Sequence, residues 1–177
     1  MPVSVYIATS LDGFIARQDG RLDWLNDIPN PEQSDFGYAE FMRDVDAVVM
    51  GRRTFETVLG FAEWPFDKPV VVLCADPRVV PERLRHAAEP MSGPPAAIIA
   101  ALAARGLRRL YVDGGETVRR FLREDLVDRL ILTRVPVLLG RGVPLFDGSV
   151  PELRFRQEET SVYEGALVKT VYSRARA

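Results

Sequence analysis

Residues 48–56 read VVMGRRTFE, and this stretch decides the fold class. Its apolar first residues are typical of a buried strand, whereas the polar and basic residues after Gly51 are typical of the first turn of a helix. Residues 111–121, YVDGGETVRRF, repeat the arrangement around Gly114 and Gly115. Parallel sheets are built from strands that lead into helices, so the two stretches predict an α/β protein.

The rest of the chain extends this alternation. Apolar runs predict strands at residues 3–8, 47–50, 70–73 and 110–112, and longer ones at 127–135, 153–160 and 166–173. Apolar residues at helical spacing predict helices at 32–44, 53–59, 95–105 and 117–124. We therefore expect a largely parallel sheet with helices on both faces. Residues 161–165 join the last two strands and predict an antiparallel C-terminal hairpin.

Composition narrows the class of protein. A chain of 177 residues suits one domain, and we expect residues 1–177 to form it. The net charge of -2 and the pI near 5.5 disfavour a nucleic-acid partner. Cys74 and His86 are the only residues of their types, too few for a disulfide or a zinc site. No membrane-length apolar run and no signal peptide are visible, so we expect a cytoplasmic protein without bound metal.

The glycine turns carry the candidate binding chemistry. Unpaired amides and the positive end of the dipole at a helix start attract phosphate. Arg52 and Arg53 add charge to the first turn and Thr54 adds a hydroxyl, while Gly114 and Gly115 expose the amides of the second. Each turn alone is compatible with an ordinary strand-to-helix connection. Together, at the carboxyl ends of strands, they could hold the two ends of a dinucleotide.

Two other loops could border the same site. Residues 9–16, TSLDGFIA, follow the first strand and suit either a flap over a ligand or a turn into a short strand. Residues 137–146, VLLGRGVPLF, have a glycine-rich tip between apolar sides, which suits a surface loop or the wall of a pocket.

These segments together resemble a known family. SLDGFIA, VVMGRRTFE, YVDGGETVRRF and PVLLGRGVPLF occur in the order and spacing of the reductase domain of the bacterial bifunctional deaminase–reductase of riboflavin synthesis, within the dihydrofolate reductase superfamily. The resemblance implies a three-layer α/β, dihydrofolate-reductase-like fold with a mostly parallel, mixed eight-stranded sheet. It also implies an NADPH-dependent reductase that forms a homodimer. The chain departs from riboflavin reductases at Phe14, where they usually carry a lysine, and it has no room for the deaminase half.

The resemblance also implies which residues contact the cofactor. The first glycine turn would contact its phosphates and ribose: Gly51, Arg52, Arg53 and Thr54. The second turn would line the pyrophosphate and nicotinamide side, with a cis peptide often joining the two glycines: Gly114, Gly115, Glu116, Thr117 and Val118. The end of the first strand and its loop would contact the nicotinamide: Ala8, Gly13 and Ile15. The end of the third strand would lie near the adenosine: Leu73 and Cys74.

Hydride transfer also needs a proton for the substrate, which we expect to be a pteridine, an aminopyrimidine or a related heterocycle. Asp12 is the first candidate to bind or polarise it, Asp35 the second, and Tyr38 could donate from the next helical turn. Each carboxylate has a local alternative, because Asp12 could shape an Asp-Gly turn and Asp35 could cap a helix. Two other functions stay open. One is a true dihydrofolate reductase, which a substrate-binding Asp35 or Glu40 would favour, and the other is a nucleotide-binding dimer without activity.

Overall fold

Strands and helices alternate along the chain up to residue 134, and two long strands end it. The computed structural model describes residues 2–31, 33–163 and 167–176. The strands are β1 (Val3–Thr9), β2 (Phe14–Ala16), β3 (Ala47–Gly51), β4 (Val70–Leu73), β5 (Ala88–Met91), β6 (Leu110–Asp113), β7 (Arg129–Arg134), β8 (Val143–Pro144), β9 (Phe155–Tyr163) and β10 (Leu167–Arg174). The helices are α1 (Asp23–Asn26), α2 (Tyr38–Arg43), α3 (Arg52–Leu59), α4 (Pro95–Ala104) and α5 (Gly115–Arg123).

Eight strands form one mixed sheet in the order β5-β4-β3-β6-β1-β7-β10-β9. All pairs from β5 to β7 are parallel, whereas β10 runs antiparallel to both β7 and β9. Strands β2 and β8 form a separate antiparallel pair. The predicted fold class and the C-terminal antiparallel pair are therefore confirmed, although residues 164–166 of the connection lie outside the described residues.

Two hydrophobic cores sandwich the sheet. On one face, Ile98 of α4 and Phe121 of α5 pack on Val5 and Val49. On the other face, Met42 of α2 and Phe55 of α3 form part of a second cluster. Alternate residues of the central strands enter different cores, as a strand period of two requires. The result is the three-layer arrangement that the alternation predicts. No helix in the described part of the chain has the length and apolarity needed to cross a membrane.

Most predicted elements are confirmed with small shifts of their ends, but the helix predicted at 32–44 is too long. Helix α2 covers only Tyr38–Arg43, and residue 32 lies outside the described residues. Phe36 and Gly37 have φ angles of 56° and 86°, which a right-handed helix cannot continue through. Asp35 then caps the start, because its carboxylate accepts hydrogen bonds from the amides of Gly37 and Ala39, both at 2.8 Å.

Two short strands, β5 and β8, are not predicted by the sequence pattern, whereas β2 is the short strand given as one alternative for residues 9–16. The segment AEPM of β5 holds Glu89 and Pro90 and lies at the edge of the sheet, where a proline removes no ladder hydrogen bond from a central strand. Strands β2 and β8 belong to the two loops predicted as a flap and a pocket wall, and they pair with each other. This pair is called the flap below.

Candidate active site

The topological switch point of the sheet lies between β3 and β6, at the carboxyl ends of the parallel strands, and this position is called the crevice below. The two strands are neighbours, with Met50 beside Asp113. The helix after β3 buries Phe55 in the core of one face, and the helix after β6 buries Phe121 in the core of the other. Connections that leave adjacent strands towards opposite faces create the position where α/β sheets bind ligands.

The two glycine turns interlock across this crevice. A Cβ atom on Gly51, before α3, would lie 2.9 Å from the hydroxyl oxygen of Thr117 in α5. A Cβ atom on Gly114, before α5, would overlap the hydroxyl oxygen of Thr54 in α3. Each glycine is thus packed by the threonine of the opposite turn. The structure brings these four predicted site residues together.

Both helix starts present amide groups that no side chain caps. Helices α3 and α5 begin after Gly51 and Gly114 without a side-chain cap hydrogen bond. The first amides of a helix have no partner within it, so they are free to bind an anion. The implied cis peptide between the glycines is wrong, since the described residues contain no cis bond. Gly114 makes the turn instead with a positive φ of 88°, which glycine adopts without steric penalty.

The flap covers the start of α5. A Cβ atom on Gly115 would lie 2.9 Å from Cδ1 of Ile15 in β2 and 3.2 Å from the carbonyl oxygen of Pro144 in β8. The Leu145 amide donates to the Gly13 carbonyl oxygen at 3.0 Å and links the two loops. The predicted flap residues Gly13 and Ile15 therefore lie beside the second glycine turn.

The charged side chains of the two turns differ in their partners. Arg52 forms an ion pair with Glu56 at 2.8 Å, whereas Arg53 is exposed and forms no ion pair with a described residue. The Glu116 carboxylate accepts from Arg119 and Arg123 at 3.0 and 2.9 Å. These hydrogen bonds hold the pKa of Glu116 below its usual value despite partial burial. The side chain of Glu116 is thus engaged within its own helix, leaving its amide for a ligand.

The remaining predicted cofactor residues lie at the edges of the crevice or behind it. Leu73 ends β4 beside Gly51 of β3, and Cys74 follows it. Ala8 lies near the end of β1 and packs against a small apolar cluster around Trp24. The Val118 side chain is fully buried in the core, so only its backbone can reach a ligand.

Both predicted carboxylates bind backbone amides. Asp35 takes the local capping role that the sequence left open, whereas Asp12 reaches a loop far along the chain. Asp12 accepts from the Ser10 hydroxyl at 2.5 Å and from the amides of Leu139 and Gly140 at 3.2 and 2.7 Å. The Ser10 hydrogen bond is the main cause of the lowered pKa of Asp12. Asp35 caps α2, and the amide hydrogen bonds lower its pKa. Both carboxylates are therefore ionised at neutral pH, and neither holds a proton for transfer.

Tyr38, the third candidate, belongs to a buried aromatic cluster. Its ring lies edge-on to Tyr6, with centroids 5.5 Å apart, and edge-on to Tyr111 at 6.4 Å. Burial and the charges of Asp113 and Asp67 raise the pKa of its hydroxyl to about 12. Tyr38 also lines a cavity of about 360 Å³ between α2 and residues 65–68.

Sequence reasoning missed Asp113, the last residue of β6. It precedes Gly114, whose amide donates to the Asp113 carboxylate at 2.8 Å. Burial raises the pKa of Asp113 to about 6, against the lowering effect of the hydrogen bond from the Gly114 amide. A perturbed carboxyl in a crevice is a candidate for proton transfer. Its position in the sequence, directly before Gly114 and Gly115, is the signal that could have identified it as a site residue.

A protein family and several relatives match the chain. The RibD C-terminal domain family matches residues 2–169. "Uncharacterized protein YwjB" of Bacillus subtilis (strain 168) is 35% identical over 173 residues, which cover 97% of each chain. The crystal structure of a "Putative riboflavin biosynthesis protein" from Shewanella sp. PV-4 is 45% identical, with a TM-score of 0.95 over 99% of this chain and all of that one.

A larger protein shares the fold. The diaminohydroxyphosphoribosylaminopyrimidine deaminase/5-amino-6-(5-phosphoribosylamino)uracil reductase of Thermotoga maritima is 18% identical, with a TM-score of 0.74. The match covers 98% of this chain and 56% of that protein, and it shows the fold alone. The dihydrofolate-reductase-like fold and the resemblance carried by the four motifs are both confirmed. The chain belongs to the RibD C-terminal domain family.

Proposed function

We propose that the chain is an oxidoreductase that uses NADPH to transfer a hydride to a small heterocycle, such as a pteridine or an aminopyrimidine. The observation that carries this proposal is the crevice between β3 and β6, where two uncapped helix starts meet across interlocked glycines. The family supports it, because the chain matches the RibD C-terminal domain, and the Thermotoga maritima protein of the same fold is named a 5-amino-6-(5-phosphoribosylamino)uracil reductase.

The residues of the crevice fit NADPH. The free amides of α3 and α5 suit a pyrophosphate, and the hydroxyls of Thr54 and Thr117 lie beside them. Arg53, exposed and without an ion pair among the described residues, suits the 2′-phosphate. When bound, NADPH supplies the hydride. The flap with Gly13 and Ile15 would cover the nicotinamide and exclude water.

The remaining predicted contacts extend this arrangement. Ala8 at the end of β1 would lie under the nicotinamide ring, while Leu73 and Cys74 at the end of β4 would border the adenosine. The protein's contribution is to orient two rings, since the cofactor carries the hydride chemistry. Orientation of this kind contributes on the order of 7–11 kcal/mol in favourable cases.

Asp113 is the proposed proton donor. With a pKa of about 6, its carboxyl is partly protonated near neutral pH and can give its proton to a reduced ring. Tyr38 keeps its proton, because its pKa is about 12, and can donate a hydrogen bond to the same ring. Asp12 then contributes by holding the loop before the flap, and Asp35 by starting the helix that carries Tyr38.

The two alternatives are less well supported. A free, substrate-binding carboxylate at α2 would favour a true dihydrofolate reductase. Asp35 instead caps α2, and Glu40 is exposed and forms an ion pair with Arg43 at 3.6 Å. A nucleotide-binding protein without activity needs no proton donor, whereas Asp113 holds a carboxyl with a raised pKa directly before the glycine pair of the site. Asp113 therefore favours the enzyme.

The proposed enzyme is a cytoplasmic homodimer. Strand β9 is an edge strand, and its Val162 is 76% exposed. Val162 pairs with Val168 of β10, which is 39% exposed. A long edge strand with exposed apolar side chains is normally covered, and a second copy of the chain would cover it.

The test has two stages. Titration with NADPH is expected to quench tryptophan fluorescence, with a much weaker response to NADH. NADPH oxidation is then measured with dihydrofolate and with a panel of other pteridines and aminopyrimidines, for the wild type and Asp113→Asn. The rate with the best substrate should fall as the pH rises through about 6, and the variant should lose this dependence. No binding at millimolar NADPH would overturn the proposal.

A further inference from the structure

Three hydrogen-bond donors converge on one backbone oxygen next to the aromatic cluster. The carbonyl oxygen of Phe36 accepts from the hydroxyls of Tyr6 and Tyr163, each at 2.9 Å, and from the ammonium of Lys169 at 2.8 Å. A carbonyl oxygen has two lone pairs, so three donors exceed what it can accept in good geometry. A carboxylate or a phosphate offers more acceptor positions to the same three groups.

Lys169 forms no ion pair with a described residue, although Glu159 of the neighbouring strand lines the same groove. Its side chain is half-buried, and no described carboxylate lies within ion-pair distance of it. Asp35 acts on it only at longer range, because the Asp35 carboxylate binds the amides of Gly37 and Ala39. The ring of Tyr163 lies 5.4 Å from the ammonium and stabilises it in part. A partly buried cation without an anion is costly, and a ligand anion would remove that cost.

The oxygen is held in place by a strained segment. Phe36 has a φ of 56° and Gln33 a φ of 51°, a region that such residues rarely occupy. Gly37 has a φ of 86°, and a Cβ atom there would lie 2.7 Å from the Lys169 ammonium. Glycine at position 37 thus allows both the turn and the approach of the lysine. Strained backbone of this kind is concentrated at ligand sites and switch regions.

The three donors lie close to the candidate active site. Lys169 of β10 pairs with Thr133 of β7, which pairs with Ala8 near the carboxyl end of β1. Tyr6 donates to Phe36 and also packs against Tyr38. Burial raises the pKa of the Tyr6 hydroxyl, so it remains a donor at physiological pH.

Access to the donors exists from solvent. A groove of about 480 Å³ reaches two of the three donors, Tyr6 and Lys169, and Gly37 beside them. Its other charged lining residues are mixed in sign: Glu40, Asp44, Glu159, Arg109 and Arg129.

We propose that Tyr6, Tyr163 and Lys169 form a subsite for an oxyanion of the substrate, a carboxylate or a phosphate, whose place the Phe36 carbonyl takes until the ligand binds. The subsite deepens the proposed function, because the identification of its ligand as the substrate rests on that function.

The test is calorimetric titration of the full chain with ribose 5-phosphate and with orotate, a pyrimidine carboxylate. Ribose and uracil are the matched neutral probes. At least one anionic probe is expected to bind about tenfold or more tightly than its neutral partner, because charge-assisted hydrogen bonds are the strong ones. The two arms distinguish phosphate from carboxylate. Hydrogen exchange at residues 33–37 should rise on binding, because the ligand displaces the Phe36 carbonyl.

Variants tie the binding to the donors. Lys169→Met should lower the affinity for the anionic probe about tenfold or more, and Lys169→Arg should restore part of that affinity. Tyr163→Phe, which keeps the ring, should weaken it severalfold and carries the test if Lys169→Met does not fold. Tyr172→Phe, on the opposite face of β10, is the control and should change nothing.

Two results would overturn the subsite: neither anionic probe binds the wild type, or binding is unchanged in both Lys169→Met and Tyr163→Phe. Titrations without NADPH and with saturating NADPH separate this question from the proposed function. Binding of an anionic probe by a chain that ignores NADPH would support the subsite and contradict the reductase. NADPH binding without binding of either probe would do the reverse.

Discussion

The guanidinium of Arg119 forms an ion pair with Asp147, with Nε and Oδ2 3.0 Å apart, and the arginine side chain is only 9% exposed. It also donates to the Pro144 carbonyl and so joins α5 to the flap.

Arg119→Gln should lower the free energy of unfolding by about 2–3 kcal/mol, below the range for fully buried pairs because Asp147 is 34% exposed. Urea denaturation measures this change. Arg123→Gln, one turn later and more exposed, should cost less than about 1 kcal/mol, and equal losses would contradict the prediction.

Gly114→Ala should both destabilise the chain and weaken NADPH binding. The new methyl group meets a positive φ of 88° and the hydroxyl of Thr54. Gly106→Ala is the matched control, because Gly106 has a φ of 84° with nothing within 4 Å of its Cβ position. The control should cost about 1–2 kcal/mol from the backbone alone, and Gly114→Ala about 1–3 kcal/mol more from overlap. Equal losses of unfolding free energy in the two variants would contradict the prediction, because they would show that the Thr54 side chain moves aside without cost.

Arg53→Gln should weaken NADPH binding about tenfold or more and leave NADH binding nearly unchanged, because it removes a bidentate partner of the 2′-phosphate. Arg52→Gln is the matched control, since Arg52 is already paired with Glu56 at 2.8 Å. Fluorescence titration with both nucleotides compares the variants. An equal loss for the two nucleotides would assign Arg53 to the pyrophosphate, and a larger loss in Arg52→Gln would reverse the assignment.

Asp113→Asn should change how stability depends on pH. Burial raises the pKa of this carboxyl from 3.8 to about 6. Between these values the folded chain binds more protons than the unfolded chain, so the free energy of unfolding falls as the pH rises from about 4 to about 6. The free energy of unfolding of Asp113→Asn should not fall in this way. Relative to the wild type, the variant should become more stable by up to about 3 kcal/mol between pH 4 and pH 6. Urea denaturation at several pH values measures the difference, which would be constant if Asp113 titrated normally.

Asp12→Ala should loosen residues 137–142, because the carboxylate holds the amides of Leu139 and Gly140. Hydrogen exchange of these amides should rise about tenfold or more. Asp19→Ala removes another exposed carboxylate, paired with Arg21, and should leave that segment unchanged. Lost activity with unchanged exchange would instead assign Asp12 to the substrate.

The fold was predictable because its signals are local. The runs that form β3 and β4 are uninterrupted apolar segments, and those of β1 and β6 are broken only by Ser4 and by their last residues, Thr9 and Asp113. Strands buried on both faces require such nearly continuous apolar runs. Glycine-opened helix starts mark where α3 and α5 begin, and the same residues meet in the crevice. The sequence therefore predicts both the architecture and the position of the candidate site.

The missed features depend on contacts between distant residues. The cap at Asp35 was one of two alternatives in the sequence, but no local signal shows that α2 begins only at Tyr38. Phe36 has a left-handed conformation, and its carbonyl oxygen accepts from Lys169, far along the chain. The raised pKa of Asp113 comes from burial in the assembled crevice, which no sequence window contains. Strand β5 has weak strand propensity of its own and forms by pairing with β4.

The reciprocal packing of Gly51 on Thr117 and of Gly114 on Thr54 constrains how the protein can evolve. A larger residue at either threonine would press on the opposite turn, so one half of the crevice cannot drift while the other stays fixed. The two turns should be inherited as a pair. A chimaera that takes one turn from a divergent relative should be impaired, whereas exchange of both turns together should be tolerated.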